Sequence, residues 1–227
     1  MDAAVGTLDD FTFEEPAPAR TRQAGDSPKS LRTRARILDT AMRLFAETGY
    51  HPASNAVIAE ASGLTRGAML YHFASREALL DCVIPHIQAA RARLFEEAAG
   101  HMPPGAERTD HAIDTYWRLL HRLPFVAFAE LEHAARTDTP LRDRLRSAQA
   151  AFDRNQVGEH MAELVQAGEA PRFQASRDLA RFVLEGLSRA HLADEGDART
   201  ERLLAVVKRA ARMLNRKGAL SDIWPEG

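Results

Sequence analysis

The chain contains one cysteine in 227 residues, and this scarcity excludes several kinds of site. The single thiol, Cys82, cannot form a disulfide within the chain or build a zinc site from cysteine ligands. No apolar run approaches the roughly 20 residues that a membrane-spanning helix requires. The N-terminal stretch MDAAVGTLDDFTFEEPAPAR is acidic and lacks the layout of a signal peptide, basic and then apolar. These absences favour a cytoplasmic protein that makes no use of a membrane.

An excess of one charge and the common catalytic motifs are also missing. The chain has 30 Lys and Arg against 32 Asp and Glu, so its overall balance does not indicate a nucleic-acid partner. It contains no GxSxG, P-loop, HExxH or dinucleotide-binding glycine pattern. The pairs His160–Glu163 and Glu130–His133 have helical spacing that suits a metal, but neither has further ligands nearby. We therefore expect no catalytic residue, no metal and no cofactor.

What the sequence does contain is helical periodicity, which predicts an all-α chain of about nine helices. Residues 1–29 are rich in Asp, Glu, Pro and Ala, which is typical of a disordered extension. Order is expected to begin near Ser27 or Ser30, both of which are good helix caps. Helices are predicted over about 30–48, 54–62, 65–73, 75–99, 107–122, 124–136, 140–167, 174–193 and 198–216.

The stretch TRGAMLYHF places Gly67 inside one predicted helix, although glycine weakens a helix by about 1 kcal/mol relative to alanine. At about 100° per residue, a helix that turns Met69 inward points Gly67 and Tyr71 outward. The flanks of that outer face are Ala68 and Leu70. A bare Cα there lets the backbone lie close to a DNA major groove or to a neighbouring helix, and the sequence leaves both readings open.

The segment around this helix is basic although the whole chain is not. Residues 29–76 contain only three acids, Asp39, Glu47 and Glu60. The basic residues of the same segment are Lys29, Arg32, Arg34, Arg36, Arg43, Arg66 and Arg76. Such an asymmetry indicates a surface that binds phosphate.

The stretch AVIAEASGLTRGAMLYHFASREALLDCVI resembles the DNA-binding segment of the TetR family of bacterial transcriptional regulators. The family pattern is Ile-Ala, then Ala-Gly-Val-Ser-x-Gly-x-Leu-Tyr-x-His-Phe, then Ser-Lys-Glu-x-Leu. The matching residues here are Ile58-Ala59, Gly63-Leu64-Thr65, Gly67, Met69, Tyr71-His72-Phe73 and Ser75-Arg76-Glu77-Ala78-Leu79. The resemblance covers about residues 31–84 and is specific in order, spacing and residue type.

The resemblance implies a set of DNA contacts. Arg76 stands in place of the family's usual lysine and is expected to hold a phosphate. The family usually has Tyr at the position of Leu70, so the phosphate contact assigned there passes to Tyr71 and His72. The residues expected at DNA are Ser54, Asn55, Thr65, Arg66, Gly67, Ala68, Leu70, Tyr71, His72 and Arg76.

The resemblance also implies the division of the chain and its partners. The expected parts are an extension (1–29), a helix-turn-helix domain (30–76), a ligand-binding and dimerisation domain (77–217) and a tail (218–227). The expected partners are a palindromic double-stranded DNA operator, a second copy of the chain and an unidentified small-molecule effector. The chain is then a ligand-responsive transcriptional regulator, a repressor. The alternative is an all-α small-molecule-binding protein or enzyme that does not bind DNA.

The last two predicted helices carry apolar residues around more than one face, which indicates burial on two sides. Either a second subunit covers one side, as in the family's four-helix dimer interface, or both sides are buried within one chain. The residues expected in the dimer interface are Phe182, Gly186, Val207 and Ala211.

Aromatic residues interleaved with polar ones suggest a ligand cavity between helices of the second domain. The candidates are Tyr116, Trp117, His121, Phe125, Phe128 and His133. Taken singly, each of these aromatic residues is better explained as part of an ordinary helical core, and the resemblance implies a pocket among them.

Pro85 lies within the predicted helix 75–99, whose apolar stripe continues on both sides of it. Either the proline kinks one continuous helix, or a second helix begins at residue 85, where proline is well tolerated.

Overall fold

The computed structural model describes residues 27–99, 107–153, 171–190 and 198–215. Within these ranges every regular element is a helix, as predicted. The helices are α1 (Pro28–Thr48), α2 (Asn55–Ala61), α3 (Arg66–His72), α4 (Arg76–Ala99), α5 (Arg108–Leu120), α6 (Leu123–Ala134), α7 (Thr139–Phe152), α8 (Pro171–Arg189) and α9 (Ala198–Asn215). The predicted helix 140–167 is described only to residue 153. Most of the N-terminal extension and all of the 218–227 tail lie outside the described residues.

Helix α1 begins where its cap residues predict. The Ser27 hydroxyl accepts a hydrogen bond from the Ser30 amide at 3.2 Å, and Pro28 occupies the first turn, where its missing N–H costs nothing. Since Pro28 and Lys29 are helical, the predicted extension 1–29 is two residues too long.

The first apolar core joins both halves of the chain. It contains residues of α1 to α4, including Ile37, Phe45 and Met69, together with Phe128 of α6 and Leu141 of α7. Helix α1 packs directly against α6. The predicted boundary between residues 76 and 77 therefore does not interrupt the packing.

The second apolar core lies among α4, α5, α6, α7, α8 and α9. Its buried members are Phe95, Ile113, Tyr116, Leu119, Phe125, Phe152, Leu184, Val207 and Ala211. Helix α4 contributes to both cores and so connects them.

Helix α4 continues through Pro85, which is exposed, so the interpretation that a new helix begins there is wrong. Polar contacts hold α4 on both sides of the proline. His86 Nε2 lies 2.7 Å from Asp39 Oδ1 of α1, and Arg144 Nε of α7 lies 2.8 Å from Asp81 Oδ1. Helix α4 is therefore one continuous helix that runs between the two cores and is tied to α1 and α7 near the proline.

Among the helices of the described ranges, none combines the length and the apolar character needed to cross a bilayer.

Candidate nucleic-acid interface

Helices α2 and α3 are joined by a short turn whose geometry follows from its sequence. The Ser54 and Thr65 hydroxyls cap the two helices by accepting hydrogen bonds from the amides of Val57 (3.3 Å) and Ala68 (3.2 Å). Gly63 has φ +67°, a left-handed conformation that side chains disfavour. The turn therefore fixes the angle between two helices of seven residues each.

Helix α3 presents one face to the core and the other to solvent, as its angular pattern predicts. Met69 is buried, whereas Tyr71 is 82% exposed and Leu70 is also exposed. A Cβ built on Gly67 meets no described atom within 4 Å. Among the described residues, no neighbouring helix packs against Gly67 and the outer face of α3 is open, which contradicts the alternative of close helix packing.

Arg66 and Arg76 differ in what surrounds them. Arg66 is exposed at the first position of α3. Arg76 donates hydrogen bonds from Nη1 to the Ala53 carbonyl (2.6 Å) and from Nη2 to the Tyr50 carbonyl (3.0 Å). Its guanidinium also lies 4.5 Å from the Tyr50 ring centroid. The geometry contradicts the expected phosphate-holding role of Arg76, because its terminal nitrogens already fasten α4 to the loop before α2.

Arg34 is a second basic residue that the fold uses internally. Its Nη1 donates to the His72 carbonyl at 2.7 Å, and its guanidinium stacks 4.4 Å from the Phe73 ring centroid. Arg34 thus supplies a hydrogen-bond donor to a backbone carbonyl at the C-terminal end of α3. Arg43 pairs with Glu47 at 3.0 Å. The other basic residues of the segment are all exposed: Lys29, Arg32, Arg36 and Arg66.

The remaining candidates for DNA contact lie around α2 and α3. Ser54 is exposed and Asn55 is half-buried, with an Oδ1 atom that has no hydrogen-bond partner among the described residues. The Tyr71 and His72 rings meet edge to face with centroids 5.3 Å apart. Ala68 is half-buried beside Gly67. These side chains surround the exposed face of α3, with Arg66 at its beginning.

The six residues expected to line a ligand cavity do not share one surface. Tyr116, Phe125 and Phe128 are buried in the cores. His121 is exposed and packs on half-buried Trp117, with ring centroids 4.6 Å apart. His133 is exposed in a separate cleft beside the α1–α2 loop. The prediction of one cavity containing all six is wrong, because α5 and α6 turn the two histidines outward.

Sequence reasoning missed a polar network inside the second apolar core. Arg91 is buried, and Tyr116 donates a hydrogen bond to Glu185 Oε1 at 2.9 Å. Burial and the neighbouring Glu185 charge raise the pKa of Tyr116 above its usual range. One signal was available: Arg91 follows Ile84 and Ile87 at helical spacing, which places a charged residue in an apolar stripe.

Two of the four residues expected in a dimer interface face their own chain instead. Val207 and Ala211 are buried in the second core, so their assignment to the interface is wrong. Phe182 is 66% exposed and Gly186 is also exposed. The exposed apolar positions of α8 and α9 are together called the α8–α9 apolar face: Leu179, Phe182, Gly186 and Val206.

No group of three or more His, Cys, Asp or Glu side chains in the described ranges could hold a metal ion. The pair His160–Glu163 lies outside those ranges.

Comparison with known proteins identifies the N-terminal region. The family model described as "Bacterial regulatory proteins, tetR family" matches residues 37–83, which include α2 and α3. The HTH-type transcriptional regulator UidR of Escherichia coli is 32% identical over 89 residues, which are 39% of this chain and 43% of UidR. The HTH-type transcriptional repressor AcnR of Corynebacterium glutamicum is 38% identical over 74 residues, which are 33% of this chain and 38% of AcnR. These matches thus span about two fifths of each relative's length.

The fold of most of the chain has counterparts among solved structures. The crystal structure of the multidrug binding protein EbrR complexed with imidazole superposes with a TM-score of 0.60 at 19% sequence identity. The match covers 83% of this chain and 98% of EbrR. At this identity the likeness establishes the fold, an N-terminal helix-turn-helix domain followed by further helices. Residues 37–83 of the chain thus match the DNA-binding domain model of the tetR family of bacterial regulatory proteins.

Proposed function

We propose that the chain is a ligand-responsive, DNA-binding transcriptional regulator that acts as a repressor and releases its operator when a small molecule binds. The observation that carries the proposal is the outer face of α3, where Gly67 leaves the backbone open beside exposed Arg66 and Tyr71. A helix with such a face fits the major groove of DNA. The relatives UidR and AcnR, a regulator and a repressor of transcription, support this function.

The exposure of each side chain supports a specific role for it in the proposed DNA complex. Arg66 reaches a base edge or phosphate from the beginning of α3, while Tyr71 and His72 contact phosphate near its end. Ser54, Asn55 and Thr65 offer small polar groups to the DNA phosphate backbone. Such contacts position the protein on the duplex without reading the base sequence. Ala68 and Leu70 offer apolar contact, as to a thymine methyl group. Arg76 acts through the fold by fixing the start of α4.

The α8–α9 apolar face supports a homodimer, because an exposed Phe and Val on adjacent helices are typical of an interface. A twofold dimer presents two α3 helices and matches a palindromic operator. The imidazole complex of EbrR supports a small-molecule effector for this fold. A protein that acts on chromosomal DNA is expected in the cytoplasm.

Selection of duplexes from random DNA, followed by fluorescence anisotropy titrations at several salt concentrations, tests the proposal. We expect a palindromic consensus and an affinity that falls steeply with salt, since counterions are released from phosphate. Arg66→Met is expected to cost about 1–3 kcal/mol of operator binding if it removes a bidentate base contact. Arg118→Met, an exposed arginine of α5, serves as the control of equal charge change.

If selection yields no enriched sequence and the salt dependence is flat, the chain is not a DNA-binding regulator. The all-α small-molecule-binding alternative then replaces the proposal.

A further inference from the structure

Arg91 of α4 is a buried cation in an aromatic surrounding. Only 4% of the Arg91 surface is exposed to solvent. The guanidinium carbon lies 4.8, 4.3 and 4.0 Å from the ring centroids of Phe125, Phe128 and Phe152. Burial lowers the pKa of Arg91 to about 10, so the side chain still carries its charge near neutral pH. The fold therefore holds a positive charge away from water.

The hydrogen-bond partners of Arg91 in the described ranges are neutral amides. Its Nη1 donates to Gln88 Oε1 at 2.8 Å and to Gln149 Oε1 at 3.0 Å. Its buried Nε has no hydrogen-bond partner among the described residues, and neither does Gln88 Nε2. A buried charge is costly unless an opposite charge and hydrogen bonds compensate it. Arg91 thus has an unused donor, and its described acceptors are amide oxygens, which are weaker partners for a cation than a carboxylate.

The nearby carboxylates are already engaged by other arginines. Arg181 pairs with Asp153 and Glu185, each at 2.8 Å, and Arg189 pairs with Glu132 at 2.6 Å. Within the described ranges, no carboxylate forms an ion pair with Arg91. Glu132 and Glu185 favour the charge of Arg91 from a distance, but both pair directly with other arginines.

A cleft between α6 and α7 approaches this charge. It has a volume of about 440 Å³, and Gln149 belongs to its lining. The same Gln149 side chain bonds Arg91 through Oε1 and Asp153 through Nε2 (2.6 Å), so it stands between the cleft and the buried charge. The other lining residues include three arginines, two acids that are already paired, and apolar side chains: Arg136, Arg142, Arg146, Glu132, Asp153, Ala135, Leu145 and Ala150.

We propose that this cleft binds a small molecule with a carboxylate group, and that the carboxylate replaces Gln149 as the acceptor at Arg91. The inference rests on the proposed function, since the molecule is the effector of that regulator. The carboxylate accepts from Nη1 in place of the amide oxygen, and this charge-assisted bond is stronger than the amide contact it displaces. The remaining arginines of the cleft attract the anion, and Leu145 contacts its apolar body.

The test compares three carboxylates with their neutral amides: benzoate with benzamide, 4-phenylbutyrate with 4-phenylbutyramide, and octanoate with octanamide. Calorimetric titration of the full chain without DNA measures each affinity. We expect at least one carboxylate to bind tenfold or more tightly than its amide. Arg91→Met is expected to reduce that preference to less than threefold. Arg93→Met, an exposed arginine on the same helix, is expected to retain it.

A second variant keeps the test informative if Arg91→Met does not fold. Gln88→Glu supplies an internal anion 2.8 Å from Arg91 and sacrifices no described hydrogen bond, because Gln88 Nε2 has no partner. We expect this variant to melt at a higher temperature than the wild type and to lose the preference for carboxylates. A purely structural role of Arg91 would allow the first change but gives no reason for the second.

The inference is overturned if no carboxylate is preferred over its amide, or if the preference survives both substitutions. Anisotropy titration of the same preparations with operator DNA separates this result from the proposed function. DNA binding without carboxylate preference refutes only the ligand class, whereas carboxylate preference without DNA binding refutes the regulator.

Discussion

Two arginines ten positions apart illustrate how surroundings decide the role of a residue. Arg66 is exposed at the beginning of α3, whereas Arg76 donates to two backbone carbonyls and stacks on Tyr50. A resemblance of sequence assigns both to DNA, because it records residue type but not side-chain direction. Only the first has its charge directed to solvent.

Substitution of each arginine by methionine separates stability from binding. Arg76→Met leaves the carbonyls of Tyr50 and Ala53 without their donors and is expected to lower the free energy of unfolding by about 1–3 kcal/mol. Arg66→Met is expected to leave stability unchanged within about 0.5 kcal/mol, as is usual for exposed sites. Urea denaturation measures both. Equal destabilisation by the two variants would contradict this distinction.

Gly67 is a position where stability and binding are expected to change in opposite directions. Because a Cβ there meets no described atom within 4 Å, Gly67→Ala gains helix propensity of about 0.5–1 kcal/mol. The same methyl group, and more so the side chain in Gly67→Leu, obstructs approach to the groove. We expect melting temperature to rise in Gly67→Ala and operator binding to disappear in Gly67→Leu while the oligomeric state is unchanged. If Gly67→Leu binds operator as tightly as the wild type, α3 docks by another face.

At the scale of elements, local signals proved predictable and distant contacts did not. The caps Ser27 and Thr65, the buried Met69 and the exposed Tyr71 all follow from spacing within one helix. The inward turn of Arg76 depends on carbonyls at Tyr50 and Ala53, which are far away in sequence. The burial of Val207 depends likewise on packing against other helices. Periodicity identifies an apolar side chain but not what covers it.

Helix α4 connects the two cores, and Pro85 weakens it in the middle. Proline has no N–H to donate to the Asp81 carbonyl, so one hydrogen bond of the helix is missing and the ring crowds that carbonyl. An ion pair from Asp81 and a hydrogen bond between His86 and Asp39 hold the helix on both sides of this point. The two segments of α4 can therefore change their relative tilt at this weakened turn at the lowest cost in free energy.

Pro85→Ala is expected to restore the missing hydrogen bond and to raise the free energy of unfolding by up to about 3 kcal/mol. Hydrogen exchange at residues 85–89 should slow, and the effect of an effector on operator affinity should change more than effector binding to the DNA-free protein. Mass spectrometry and anisotropy measure the two effects, with Arg93→Ala as an exposed control on the same helix. Unchanged exchange and coupling would mean that the signal passes elsewhere.

At the scale of the whole molecule, the two sides of α8 and α9 differ in what they cover. Val207 and Leu184 face the chain's own core, while the α8–α9 apolar face is exposed. Burial on two sides was predicted for these helices, and a single chain buries only one of the two sides. A second copy of the chain is the partner that would cover the exposed half and bring two α3 helices to one palindrome.

Charged substitutions on the exposed and the buried sides of α8 and α9 are expected to have different effects on folding and assembly. Phe182 is 66% exposed, so Phe182→Glu should leave a folded chain that sediments as a monomer. Val207 is 7% exposed, so Val207→Asp buries an unpaired charge, which costs about 3–5 kcal/mol, and should unfold the chain. Circular dichroism and analytical ultracentrifugation distinguish the two outcomes. The monomeric Phe182→Glu variant should keep a half-site affinity but lose the tighter binding to a full palindrome, because it presents one α3 helix instead of two. A Phe182→Glu variant that remains dimeric would show that the chain pairs through another surface.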